Sequence, residues 1–203
     1  IDIVAEDAIG VLPIQKTSKN TWGIHNREQE IRITYRVYAW DLSVRMAHLD
    51  QTHGYFNGTS MFLAVRGREH LPQKVTIHPP QDTKDWRVAT TLPHKENNLY
   101  GFGAYEAVNY DALIDHPVEM GTFTLMDFEA AGVRHEVAIT GKHQTSAKRL
   151  CADLETICTY FINFFGGNAP MDRYLFQVMV VGSGYGGLEH RASTSLICAR
   201  RDL

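Results

Sequence analysis

A mainly β fold with an α+β C-terminal part is predicted for this chain of 203 residues by three observations. The first two thirds hold short runs of alternating apolar and polar residues separated by turn clusters. One long stretch, from Ser146 to Phe165, has helical rather than strand periodicity. A strand-like run then leads into the glycine-rich stretch VVGSGYGGLEHRAS, Val180 to Ser193, and a further one closes the sequence.

The elements follow in order. In IRITYRVYAW, Ile31, Ile33, Tyr35, Val37 and Ala39 alternate with Arg32, Thr34, Arg36 and Tyr38, the pattern of a strand with one face buried. Further strands are expected at MFLAV, KVTIH, WRVATTL, GTFTLMDF and VRHEVAIT, with turns at FNGTS, IHPPQD and PHKENN. Together they predict an antiparallel sheet or sandwich. NYDALIDHP reads as a short helix capped by Asn109 and closed by Pro117. In SAKRLCADLETICTYFINFF, Leu150, Leu154, Ile157, Phe161, Phe164 and Phe165 recur at helical spacing, and Gly166 and Gly167 supply the stop. YLFQVMVV (174–181) and STSLICAR (193–200) then read as strands. The change of pattern near Gly141 divides the chain into a β domain over residues 1–142 and an α+β segment over residues 143–203.

Composition excludes several function classes. With 44% hydrophobic residues the chain can build a real core. Its net charge of −3, without a run of five like charges, offers no footprint for nucleic acid or an anionic membrane surface. No apolar run approaches the roughly 20 residues that span a bilayer. The N-terminus lacks a signal-peptide pattern, which gives a cytoplasmic expectation, with the periplasm as the alternative because the native N-terminus is not visible. Cys151, Cys158 and Cys198 do not make a disulfide framework and read as packing thiols.

Most motif matches fail on context. Gly182, Gly184 and Gly187 satisfy GxGxxG, but LEHRASTSL is poor at propagating the helix that a dinucleotide site needs, and too few residues follow for a βαβ unit. Ser183 lacks the spacing of a hydrolase elbow. His135–Glu136 invites HExxH, yet Ile139 stands where the second His should be, and the alternation there is that of a strand. Asp115, His116 and Glu119 could ligate metal, but helix termination explains them more simply. Asn57-Gly58-Thr59 reads as a turn rather than a glycosylation site.

The glycine stretch is different. Glycines beside a strand mark a bulge or a place where another backbone approaches, and a strand edge without side chains can take an extended peptide as an added strand. A carboxylate at the end of such an edge is placed to pair with a peptide's terminal ammonium.

Four blocks in this order, YRVYAWDLSVRMAHLD with FNGTSMFL, ALIDHPVEMGTF, KRLCADLETIC and YGGLEHRAST, resemble the glycyl aminopeptidase family of zinc metallopeptidases, gluzincins with a PDZ domain toward the C-terminus. The resemblance implies an N-terminal antiparallel β domain of the bowl or saddle type, followed by the opening helix and strands of a thermolysin-like catalytic domain. YGGLEH is similar in placement to the GxMEN segment of related zinc aminopeptidases. Gly186 and Gly187 would then flank the bound peptide, Glu189 would bind its amine, and His190 stands where those relatives have Asn. No HExxH occurs in the chain, so no catalytic residue and no metal ligand is assigned within it. The expected activity is therefore that of the whole enzyme: zinc-dependent hydrolysis of the first peptide bond of peptides with small N-terminal residues. This chain would be an N-terminal fragment ending before the zinc helix, inactive alone and with no zinc bound. Its expected partners are peptides with a free N-terminus, and a second copy meeting it through a face left uncovered, at STSLICAR and Phe161, Phe164 and Phe165. The alternative is a non-catalytic peptide- or protein-binding β module that works by strand addition.

Overall fold

The computed structural model describes residues 2–25, 30–95 and 98–203. The chain forms two compact units, Ile1–Tyr38 and Ala39–Leu203.

The first unit is made of short strands: β1 (Ile3–Glu6), β2 (Val11–Leu12), β3 (Ile14–Ser18), β4 (Thr21–Ile24) and β5 (Arg32–Tyr35). β1 lies between β2 and β5 in an antiparallel sheet, and β3 and β4 form a hairpin. The strand expected over 31–40 is realised only as β5. Its register ends with Tyr35 opposite Ile3, followed by one further hydrogen bond from the Arg36 N–H to the Asp2 carbonyl at 3.3 Å.

The second unit contains β6 (Ala47–Leu49), β7 (His53–Phe56), α1 (Gly58–Met61), β8 (Gln73–Ile77), β9 (Arg87–Ala89), β10 (Gly103–Ala107) and α2 (Tyr110–Ile114). It continues through β11 (Val118–Gly121), β12 (Thr124–Ala130), β13 (Val133–Thr140), α3 (Ala147–Phe164), β14 (Arg173–Val181), β15 (Tyr185–Glu189) and β16 (Ser193–Ala199). MFLAV does not form a strand. Asn57 caps a helical turn there, its Oδ1 accepting from the Thr59 N–H at 3.0 Å, and the Phe62 N–H returns to the Gly58 carbonyl at 2.9 Å. Asn57 is itself buried, which removes it as a glycan acceptor. Of the expected turns, PHKENN lies partly outside the described residues, at 96–97.

Two sheets build the core. A four-stranded antiparallel sheet runs β6-β7-β11-β9, and a five-stranded one runs β12-β13-β14-β16-β15. The five-stranded sheet is mixed: β13, β14 and β16 are parallel neighbours. A purely antiparallel reading of the strand pattern misses this, because residues buried on both faces give continuous apolar runs that carry no direction. Parallel strands need a crossover, and α3 provides it between β13 and β14. The expected boundary at 142/143 falls inside this sheet, with β13 on one side of it and β14 on the other.

Met126, Val137, Ile139, Val178 and Val180 form one cluster on the five-stranded sheet, with Leu150, Cys151 and Leu154 of α3 packed against it. A second cluster joins Met179 and Ile197 to Val44 and Tyr55, and a third joins Ala138 and Leu175 to Ala89 and Phe123. Helix, five-stranded sheet and four-stranded sheet are thus layered. Burial of this kind stabilises by about 25 cal/mol per Å² of apolar surface removed from water. The three cysteines are only partly buried, and burial pushes each thiol upward from its ordinary pKa. The STSLICAR run is largely buried: Ile197 packs with Val44, Tyr55 and Met179, and Leu196 and Cys198 pack against the cluster built on Val178 and Val180. The aromatic end of α3 is not: Phe161, Phe164 and Phe165 are exposed.

Candidate functional site

β15 is the last strand of its sheet, paired with β16 on one side only. Among the described residues no strand pairs with its other edge, and such an edge is a template for strand addition. The chain reaches that edge before filling the sheet: from β14 it passes outward to β15 and returns as β16 between them.

The glycines on this stretch answer to different constraints. At Gly184, φ is +158° and an added Cβ would come within 3.0 Å of Val181 and 3.2 Å of Ile197. At Gly187 it would meet the Leu196 Cδ2 at 3.1 Å. At Gly186 the nearest atom would be the Val44 Cγ2, at 4.0 Å, and at Gly182 nothing lies within 4 Å. The packing of this chain therefore does not demand glycine at 182 or 186.

β15 ends at Glu189, which is exposed and lines a cleft of about 550 Å³ together with Arg45, Asp111, Asp115, His190 and Arg191. The cleft floor is braced. The His190 Nδ1 meets the Asp115 Oδ1 at 3.0 Å, and the Arg191 backbone N–H donates to the Asp115 Oδ2 at 3.3 Å. The Arg191 guanidinium reaches Asp111 at 2.5 Å and Asp115 at 3.4 Å. Asp115 is delivered by the C-terminus of α2, whose start is fixed by the Asn109 side chain accepting from the Ala112 N–H at 2.7 Å. His190 and Arg191 thereby satisfy two of the three cleft carboxylates. Among the described residues, none forms an ion pair with the third, Glu189.

His116, on the same turn, contacts the Thr91 hydroxyl at 2.7 Å through Nδ1. Burial holds its pKa below the ordinary value. Asp115 opposes that shift, while His190 and Arg191 add to it.

The remaining sequence candidates are structural. His135 is buried on β13, stacked on Phe128 with ring centroids 5.0 Å apart, and its Nδ1 meets the Val133 carbonyl at 2.9 Å. Glu136 is fully buried and held by Tyr100, by Arg173, and by Arg134 at 2.9 Å. A gluzincin zinc does not fit this pair. The two residues point to opposite faces of a strand, and the carboxylate is already occupied by two guanidinium groups.

One cluster escaped the sequence reading. His48, Asp50 and His53 lie on the β6–β7 hairpin, each offering a ligand atom within 4.8 Å of the others. The signal was present as HLDQTH, where two His on facing strands flank a turn Asp. No resembling motif drew attention to it.

The fold, with its mixed open-edged sheet, recurs in solved peptidases. An M1 zinc metallopeptidase from Deinococcus radiodurans, solved with a Tyr-Ser-Ala substrate, superposes with a TM-score of 0.51 at 11% identity, over 94% of this chain and 49% of that one. At that identity the likeness is one of fold. An aminopeptidase N family protein from Idiomarina loihiensis superposes with a TM-score of 0.96 at 44% identity, over 100% of this chain and 34% of that one. Residues 1–122 match the Peptidase M61 N-terminal domain, and the chain belongs to that family. It spans about a third of the length of the Idiomarina protein. Among curated proteins, the probable inorganic carbon transporter subunit DabA of Nitrosococcus oceani is 27% identical over 86 residues, 42% of this chain and 7% of that protein.

Proposed function

We propose that this chain is the N-terminal part of a zinc-dependent aminopeptidase of the glycyl aminopeptidase type, a gluzincin with a PDZ domain further along. In this reading β15 is the strand on which the peptide substrate lies. The observation that carries it is the edge itself: a strand unpaired on one side, with a glycine at 186 that packing does not require, ending at a carboxylate in a cleft.

An extended peptide laid along β15 exchanges main-chain hydrogen bonds with it, and Gly186 and Gly187 keep that approach free of side chains. Glu189 then receives the α-ammonium in a charge-assisted contact, so that the peptide can enter only to its first residue. His190, tied to Asp115, fixes the end of the strand and with it the height of Glu189. Zinc in the whole enzyme would supply the activated water. The HExxH motif that would hold it does not occur in this sequence. Preference for Gly or Ala at the substrate N-terminus comes with the family likeness. We also place the start of the second domain at β12, because the family match ends at residue 122 and the five-stranded sheet begins at Thr124.

Glu189→Gln in the full-length protein tests this. Removing the charge should lower kcat/KM for free-amine peptides by about 30- to 1000-fold, a loss on the order of 2 to 4 kcal/mol of transition-state binding, with the fold unchanged by circular dichroism. An unaltered rate removes Glu189 from the site.

A further inference from the structure

We propose that His48, Asp50 and His53 form a binding site for a divalent metal ion of the Zn²⁺ class. Nothing in the peptide edge or its chemistry uses these residues.

The hairpin builds the site. In the β6–β7 register His48 stands opposite Tyr55, and His53, two residues before Tyr55, projects to the same face. The turn between them is tied by one oxygen of Asp50. Its Oδ1 accepts from the Thr52 N–H at 2.6 Å, the Thr52 hydroxyl at 2.7 Å and the His53 N–H at 3.1 Å. That leaves Oδ2 to face the His48 Nε2 at 3.1 Å. Two ligands bound to one tetrahedral ion at 2.0–2.1 Å stand roughly 3.3 Å apart, so this nitrogen and this oxygen are spaced as ligands already.

The third residue has the support that metal-binding histidines have. The His53 Nδ1 meets the Glu119 Oε1 at 3.1 Å, and the Thr140 hydroxyl donates to the same oxygen at 2.7 Å. Carboxylate, imidazole and metal in series are the usual way of fixing a ligating imidazole, with one nitrogen protonated toward the carboxylate and the other free for the ion. Glu119 is 0% exposed, and its Oε2 has no hydrogen-bond partner among the described residues. A carboxylate so deeply buried is stabilised either by a proton or by a positive charge close by, and a cation on His53 would provide the charge. The His48 and His53 rings lie 5.0 Å apart, with Trp40 packed on His48 at 5.2 Å. Both His side chains are about nine-tenths buried, whereas Asp50 keeps 29% of its side chain exposed, which leaves the ion a path from solvent. Two imidazoles and a carboxylate suit Zn²⁺, with Co²⁺ as its spectroscopic substitute, and do not suit Ca²⁺ or Mg²⁺.

The test is titration of the tag-free 203-residue chain with Zn²⁺ by calorimetry and with Co²⁺ by visible absorption. One equivalent should bind, with an intense visible Co²⁺ band marking four- or five-coordination and a rise in Tm as metal is added. Asp50→Asn keeps the turn's acceptor oxygen, so it should fold while losing at least about tenfold in affinity. Glu119→Gln should lose about 10- to 100-fold through its hold on His53. His143→Asn, at a histidine outside the cluster, should bind as the parent does. Absence of binding, a weak six-coordinate Co²⁺ spectrum, or affinity unchanged by Asp50→Asn and Glu119→Gln in folded protein would overturn the assignment.

Discussion

Gln177, at the centre of the five-stranded sheet, donates through Nε2 to the Ala89 carbonyl of the four-stranded sheet at 2.7 Å. The same nitrogen reaches the Pro117 carbonyl at 3.1 Å, and the Gln177 Oε1 accepts from the Ser195 hydroxyl at 2.9 Å. A fully buried amide therefore ties β14 to β9, to the residue before β11, and to its neighbour β16. Its removal would leave buried carbonyls and a hydroxyl without partners, each costing about 1–3 kcal/mol.

The first expected outcome follows from that clamp. Gln177→Leu, which keeps much of the volume and removes the hydrogen bonds, should lower unfolding free energy by about 3 kcal/mol. Urea denaturation would show it as a lower midpoint with an unchanged m-value. A loss below about 0.5 kcal/mol would mean the clamp is dispensable.

Glu136 is a second buried polar centre, and its partners differ in weight. Arg173 is mostly buried and also donates to the Thr90 carbonyl at 3.1 Å, whereas the Arg134 side chain is 53% exposed. Glu136→Gln leaves Arg173 without its counter-charge in the interior and should cost about 3–5 kcal/mol. Arg134→Ala should cost less than about 1 kcal/mol, because solvent screens that pair. Equal effects from the two substitutions, measured by denaturation, would contradict this ranking.

His116 sets a pH dependence. Its pKa in the folded chain lies below the ordinary 6.5 because burial disfavours the imidazolium, so the unfolded chain takes up the proton first as pH falls. The stability tied to the neutral ring is complete above about pH 6.5 and is lost as pH drops toward the folded-state value. Denaturation between pH 7.5 and pH 5 should therefore show a steeper fall for the parent chain than for His116→Gln. Parallel curves would remove His116 as the titrating group.

The end of α3 carries Tyr160, Phe161, Phe164 and Phe165 in mutual ring contact, with Phe164 and Phe165 68% and 78% exposed. An aromatic patch of this kind favours association, and we propose that a second copy covers it when this chain is isolated. Light scattering should show mass rising with concentration, and Phe164→Glu with Phe165→Glu should restore the monomer mass. A parent chain that stays monomeric at high concentration would refute this.

Much of the second unit is legible in the residues alone. VRHEVAIT matches β13 residue for residue, YLFQVMVV falls within β14, and α3 starts one residue inside the predicted span, capped by Ser146, whose hydroxyl accepts from the Arg149 N–H at 3.4 Å. These segments are long, and their pattern agrees with their surroundings. The very short strands β2, β6, β7 and β11 escape, because two to four residues cannot establish a period and their conformation comes from the partners they pair with. MFLAV fails in the opposite direction: an apolar run satisfies a strand template, but the Asn57 cap turns its start into a helix.

The site divides along the same line. Glycine content and charge are properties of single residues, so they suggest a backbone edge ending in a carboxylate, and the family likeness carries that suggestion onto Gly186, Gly187, Glu189 and His190. That β15 is the unpaired strand, that Asp115 braces His190 from 75 residues away, and that Glu119 stands behind His53 across 66 residues depend on which strands become neighbours. Sheet order is decided by burying apolar faces against each other across the whole chain, and short-range periodicity carries no information about it.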